Sequence, residues 1–222
     1  MATLFEVRQE TLTALGDGNT PAVPLARMGL PAVLTKWDLF ALAGRMYTLS
    51  QTTVGTPLDG SAAAAGGIVL TAPTVRFTVP TGYTVFPRRF VLGYATLAGV
   101  DNEIAVISSQ TDSYTSGGTA ITPLNLRTDQ PSATHVTKCY HAAASAIVEA
   151  ALTTVRVHYQ ACIPLAFAAA ESFWNTVVQW DDLRPIVGPA SVLIFVSSKT
   201  TANTHYVSFD WAEVETSAIK AG

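Results

Sequence analysis

Apolar and polar residues alternate with a period of two through most of the chain after residue 68, the spacing of strands with one dry and one wet face. Thr153 to Ile163 shows it most plainly: Val155, Val157, Tyr159 and Ala161 face one way, and Thr154, Arg156, His158 and Gln160 the other. His205 to Val214 repeats it, setting His205, Val207, Phe209, Trp211 and Glu213 against Tyr206, Ser208, Asp210, Ala212 and Val214. In Phe173 to Trp180 the residues Trp174, Thr176, Val178 and Trp180 share a side. Val192 to Val196 is apolar throughout, which suits burial between two sheets. Upstream, Ile68–Leu70 is a short apolar run, and Thr74–Val79, Thr84–Phe86, Phe90–Thr96 and Glu103–Ser109 read as further strands. Pro80-Thr81-Gly82-Tyr83 and Gly99-Val100-Asp101-Asn102 are turns between them.

Other segments lack this period. Lys36 to Ser50 reads as helix in its first half and strand in its second. His141 to Leu152, rich in Ala, predicts a helix of about three turns, although its apolar residues also fit an irregular buried connector. Thr111 to Gln130 is polar and turn-rich, an exposed loop with one short strand. Pro57, Asp59-Gly60 and Gly66-Gly67 mark another loop, around the run Ala62 to Ala65.

The first 35 residues stand apart. Leu4, Phe5, Leu12 and Leu15 suit a short amphipathic helical piece that stops at Gly16-Asp17-Gly18-Asn19, and Pro21, Pro24 and Pro31 then impose an extended path. Such a segment reads as an arm lying across its own domain or a neighbour. Roughly eight strands with Gly/Pro turns and no βαβ rhythm predict an all-β chain. The expected fold is an antiparallel β-sandwich, within that class a jelly roll, with little helix: an N-terminal arm (1–35) and one domain (36–222).

Composition adds a reason for partners. Only 13% of the 222 residues are charged, about half the ~25% usual for globular domains, and mean hydropathy is +0.30. A lone monomer of that kind exposes apolar patches large enough to associate. No apolar run reaches the ~18 residues of a membrane helix, so the surplus points to contacts with other chains. Net charge is -3 and pI about 5.7, with no long-range attraction to nucleic acid or anionic membranes expected. Cys139 and Cys162 are too few for a disulfide framework; the expected state is reduced and buried, and a single bridge between them is the alternative. MATLFEVRQE lacks the marks of a secretory signal, which points to use in a cytoplasm or release by lysis.

No motif announces a chemistry. His135, Cys139 and His141 are close, but H-x3-C-x-H matches no usual structural-zinc spacing. Cys139 beside His141 does not make a catalytic pair by itself, and no Ser sits in a G-x-S-x-G elbow. Asp181-Asp182 reads as a solvated turn rather than an acid/base pair, and Asp101, Asn102 and Glu103 lack calcium-loop spacing. Phosphate-cradling glycine motifs are absent. Trp174, Trp180, Phe209 and Trp211 read as core. The expectation is no catalytic residue, no metal, no cofactor and no small-molecule substrate.

The last third resembles the closing strands of single jelly-roll virion proteins. Leu183-Arg184-Pro185-Ile186-Val187-Gly188-Pro189 turns into the apolar strand Ser191 to Val196, and Tyr206 to Val214 closes with a Trp-x-Glu ending. Phe77 to Val85 adds a strand–PxGY–strand hairpin also seen in phage surface domains. The resemblance is to bacteriophage capsid cement or decoration proteins. It implies a structural protein, made in the host cytoplasm, that sits on the outer capsid surface as a homotrimer and clamps major capsid subunits. It brings no nucleic acid or membrane partner. Leu4, Phe5, Leu12 and Leu15 would then be the arm's partner contacts. The alternatives are a receptor- or glycan-binding head of a fibre or spike, using Thr111 to Gln130, and a small cupin-like metalloenzyme.

Overall fold

The structure is a computed structural model and describes residues 35–50, 57–59, 61–62, 68–96, 101–129, 135–142, 145–152, 154–163, 175–198 and 204–219. The arm residues Leu4, Phe5, Leu12 and Leu15 lie outside the described residues, as does Trp174. In chain order the elements are α1 (Lys36–Leu42), β1 (Met46–Ser50), β2 (Leu58–Asp59), β3 (Ser61–Ala62), β4 (Val75–Val79) and β5 (Tyr83–Thr96). Then come β6 (Asn102–Ser109), β7 (Tyr114–Ser116), β8 (Thr119–Ile121), β9 (Leu124–Asn125), β10 (Lys138–His141) and β11 (Val148–Glu149). The last are β12 (Val155–Ile163), β13 (Asn175–Gln179), β14 (Ile186–Val187), β15 (Ala190–Ser198) and β16 (Thr204–Glu215).

Two sheets form an all-β sandwich. One runs β13-β5-β16-β1-β9, with β14 also on β5 and β2 on β16; the other runs β12-β6-β15-β4-β10-β8, with β3 on β15. The β3–β15 contact is parallel and the remaining pairings are antiparallel. Inward residues of both sheets meet in one apolar core, and an aromatic seam runs through it. Phe77 of β4 stacks on Trp211 of β16 at 5.1 Å with rings 11° apart, and lies 5.1 Å from Phe209. Trp180 and Phe90 approach Phe209 at 6.0 and 6.5 Å.

The outer faces are also covered, which explains why β15 and much of β6 and β16 are buried on both sides. Thr35 and Asp38 close a capping box at the start of α1, which lays Trp37 and Phe40 over Met46, Phe86, Ala212 and Val214. On the other sheet, Ile68 and Leu152 pack on Ala105, Ile107, Leu193 and Phe195.

Several expectations are corrected. His141 to Leu152 is not a helix: the described part is the end of β10, an irregular stretch in which Ile147 is buried, and β11. Its backbone bonds leave the segment, Glu149 N–H to Thr71 and Ala150 N–H to Ser113, and Glu149 is buried beneath it. Thr111 to Gln130 carries three short strands rather than one. Thr84–Phe86 and Phe90–Thr96 are parts of a single strand, β5. An extra residue, Arg88, bulges between the pairs Pro87–Trp211 and Arg89–Asp210 and moves the inward positions from odd to even numbers. Val85 and Phe90 therefore both reach the core.

A second bulge corrects β12. His158 is the extra residue between the pairs Val157–Ile107 and Tyr159–Val106. The alternation flips there, so Val157 is 54% exposed while His158 is buried and Tyr159 packs on the core. The predicted dry face of β12 is thus dry only beyond the bulge. Cys139 is buried as expected but Cys162 is exposed, and both thiols are free.

The seam should dominate stability. Trp211→Ala is expected to cost about 3–5 kcal/mol in urea unfolding, as large buried aromatics do. Val177→Thr, at a 60% exposed position, should change it by less than about 0.5 kcal/mol. Equal effects at the two sites would contradict this core.

Candidate functional site

The bulge that turns His158 inward also builds the most site-like feature of the described residues. His158 Nε2 lies 2.8 Å from the Oγ of Ser108 on β6, and its ring meets Trp180 edge-on at 6.5 Å. Ser108 lines a cleft of about 580 Å³ at one flank of the sandwich. Ser109, Gln110, Thr154 and Arg156 give the cleft a polar side. Val155, Pro185, Ile186, Val187 and Pro189 give it an apolar one. The turn forming the apolar side is held close: a Cβ on Gly188 would meet the Pro80 carbonyl oxygen at 2.0 Å, so only glycine lets the two backbones approach.

A Ser–His contact beside a cleft invites comparison with a nucleophile and its base. The surroundings oppose that chemistry. Burial first, and then the Arg156 and Arg184 guanidinium groups, push the His158 imidazole down to about 4. A serine hydrolase needs the imidazolium to be favoured as the hydroxyl proton is taken. Here it is disfavoured, and no carboxylate among the described residues hydrogen-bonds the ring to offset this. Ser108 therefore stands as a cleft-lining hydroxyl held by His158.

The flank has a second property. Among the described residues β12 ends one sheet and β13 and β14 end the other, so strand edges that no described strand pairs lie beside the cleft. Val155, Val157, Val177 and Val187 are exposed along them. Free edges bearing apolar side chains are surfaces that proteins normally cover. Arg156, between two of these valines, has no ion-pair partner among the described residues, whereas Arg184 is tied to Asp182 at 3.0 Å.

The residues singled out by sequence are placed apart from this flank or serve the fold. Cys139 points into the core, where burial pushes its thiol up; His141 is half-buried on the same strand, and His135 Nδ1 lies 2.9 Å from the Thr137 carbonyl. Among the described residues no three His, Cys, Asp or Glu side chains gather to hold a metal ion. Asp181 accepts from Gln179 and Asp182 from Arg184, both in an exposed turn. Glu103 accepts the Ile68 N–H. The Thr111 to Gln130 segment is tied down: Tyr114 stacks on Tyr140 at 4.8 Å, and β9 pairs with β1.

Sequence reading missed the buried charges. Arg76 of β4 is fully buried, 2.6 Å from both Asp112 and Glu149, with Tyr114 stacked on its guanidinium at 4.5 Å. Burial raises the Glu149 carboxyl even though Ser113 donates to it. Glu213 is likewise buried and accepts from Trp211 Nε1, Thr137 Oγ1 and the Val136 N–H. The Trp-x-Glu ending is thus an internal pin, with both side chains on one face of β16. His205 faces Tyr94 across the β16–β5 pair; among the described residues neither ring nitrogen nor the phenol hydroxyl finds a partner.

No family model, no curated protein and no solved structure matches this chain.

The two buried imidazoles predict acid lability. Burial holds His205 down to about 3 and His158 to about 4, against 6.5 for a free imidazole. The unfolded chain therefore binds more protons as pH falls below about 6.5, and stability falls across that window until the folded values are reached. His205→Leu should leave stability at pH 7 equal or higher, since no hydrogen bond is lost. It should also shrink the loss between pH 7 and about 4.5 by on the order of 1–3 kcal/mol. Parallel urea-unfolding curves for wild type and variant at both pH values would contradict this.

Proposed function

We propose that this protein is a non-enzymatic structural component of a virion, a cement or decoration protein that clamps major capsid subunits on the outer surface of a phage head. The observation that carries the reading is the flank of strand edges, unpaired among the described residues and bearing exposed valines, on a chain only 13% charged. Such a surface gains by being covered by other chains. At ~25 cal/mol per Å² of apolar area, even a small contact repeated over a shell adds large total stability, less the cost of ordering each copy.

Strand order supports a jelly roll within the sandwich class. The row β4-β15-β6-β12 nests late strands between early ones, and β4, β5 and β6 alternate between the sheets, as do β12, β13, β15 and β16. In this reading the protein forms a homotrimer and the arm, through Leu4, Phe5, Leu12 and Leu15, adds contact to the capsid. The fibre-head alternative assigns recognition to Thr111 to Gln130. The stacking and pairing that tie that segment to the sandwich favour a structural part for it.

Binding to heads stripped of their decoration proteins tests the reading. Purified full chain should co-sediment with them and raise the temperature at which they release DNA, and deleting residues 1–20 should lower occupancy at equal protein concentration. Unchanged occupancy would remove the arm from the account, and no binding by the full chain would remove the capsid role.

A further inference from the structure

The cleft bridges the two layers. Ser108 and Ser109 end β6 and Val155 and Arg156 open β12, strands of one sheet, whereas Ile186 and Val187 are β14 of the other. Its volume of about 580 Å³ falls within the roughly 300–1,000 Å³ usual for small-molecule sites. The two sides differ in chemistry. Ser108, Ser109, Gln110 and Thr154 present hydroxyl and amide groups, each side chain able both to donate and to accept. Two of the hydroxyls are anchored: Ser108 Oγ lies 2.8 Å from His158 Nε2, and Ser109 Oγ lies 3.3 Å from Thr111 Oγ1. Both serines are buried, so a ligand that uses them pays little to order them. Opposite, Pro185, Val187 and Pro189 supply a wall with no polar side-chain atom.

Charge in the cleft is one-sided. Arg156 lines it, and no Asp or Glu does. Among the described residues Arg156 has no ion-pair partner, whereas Arg184 is held by Asp182. Both guanidinium groups disfavour a charge on the nearby His158 imidazole, an independent sign that the potential here is positive. A ligand matched to these features carries hydroxyls on one side, C–H groups on the other and one anionic oxygen group for a guanidinium to hold. A sugar ring bearing a carboxylate combines the three. A neutral sugar lacks the anion, an alkyl acid lacks the hydroxyls, and inorganic phosphate has no C–H face for the wall.

We propose that this cleft is a binding site for an acidic sugar, with Arg156 on the carboxylate, Ser108, Ser109, Gln110 and Thr154 on the ring hydroxyls, and the C–H face of the ring against Pro185 and Val187. The sugar is a ligand that is bound and released unchanged, with no covalent step. The site goes beyond the capsid role and does not rest on it, since it needs only the folded sandwich.

Amide NMR of the isotope-labelled full chain, titrated separately with sodium glucuronate and with N-acetylneuraminate, tests it. At least one of the two should shift the amides of residues 108–110 and 154–156 saturably, with a Kd on the order of 1 mM, and leave those of β16 in place. Glucose, without the carboxylate, and butyrate, without the hydroxyls, should each bind at least about tenfold more weakly. Arg156→Gln, at an exposed position, should weaken the acidic sugar about tenfold with the rest of the spectrum unchanged, and Arg156→Lys should recover part of the loss. Butyrate binding as tightly as the acidic sugar overturns the sugar assignment in favour of an apolar acid. Equal affinity in Arg156→Gln overturns the placement of the carboxylate. No saturable shift with either acidic sugar up to about 20 mM overturns the site itself.

Discussion

Strand β16 crosses the middle of its sheet and holds the two layers together, because its inward row of Val207, Phe209 and Trp211 meets Phe77 of the opposite sheet at van der Waals distance. Its outward row, Ala212 and Val214, receives α1. Each buried aromatic removes a large apolar area from water, and the stacked Phe77–Trp211 pair fixes how the sheets face each other. The strands on either side, β5 and β1, take their register from β16. The flank, the cleft and the attachment of the arm are therefore all positioned by this one seam.

Polar groups inside the sandwich act as pins. Glu213 ties residues 136–137 to the end of β16 through two hydrogen bonds, while accepting a third from Trp211. Arg76 ties the 112–149 excursion to β4 through Asp112 and Glu149. Buried charges of this kind are poor sources of net stability, but removing one partner leaves the other uncompensated. They specify where long connections settle on the sheet, which apolar contact alone leaves loose.

Much of the sandwich was legible in the sequence because a period of two is a direct consequence of burying one face of a strand. His205, Val207, Phe209, Trp211 and Glu213 are all buried, as that alternation predicts. The turn at Pro80 to Tyr83 was equally legible, since Gly82 adopts a φ of +87° that its residue type allows at little cost. The two bulges were not. An extra residue at Arg88 or His158 breaks the period without leaving a compositional mark, so β5 looked like two strands and Val157 looked buried. The Ala-rich stretch after His141 misled for another reason: helix propensity is weak against tertiary bonds such as those of Glu149 and Ala150. The cleft escaped notice because its walls come from β6, β12 and the 185–190 turn, far apart in sequence.

The cleft and the seam together describe a sandwich with one apolar flank, the feature on which the proposed assembly role rests. Ser108 lines the cleft and touches the buried His158 behind it, yet burial and two arginines hold that histidine's imidazole low. The most direct measurement is the solution mass of the purified full chain by size-exclusion chromatography with light scattering. A stable trimer is the predicted result, since low charge and an apolar flank favour association of copies. A well-behaved monomer at every concentration would contradict the account of this protein as an assembly component.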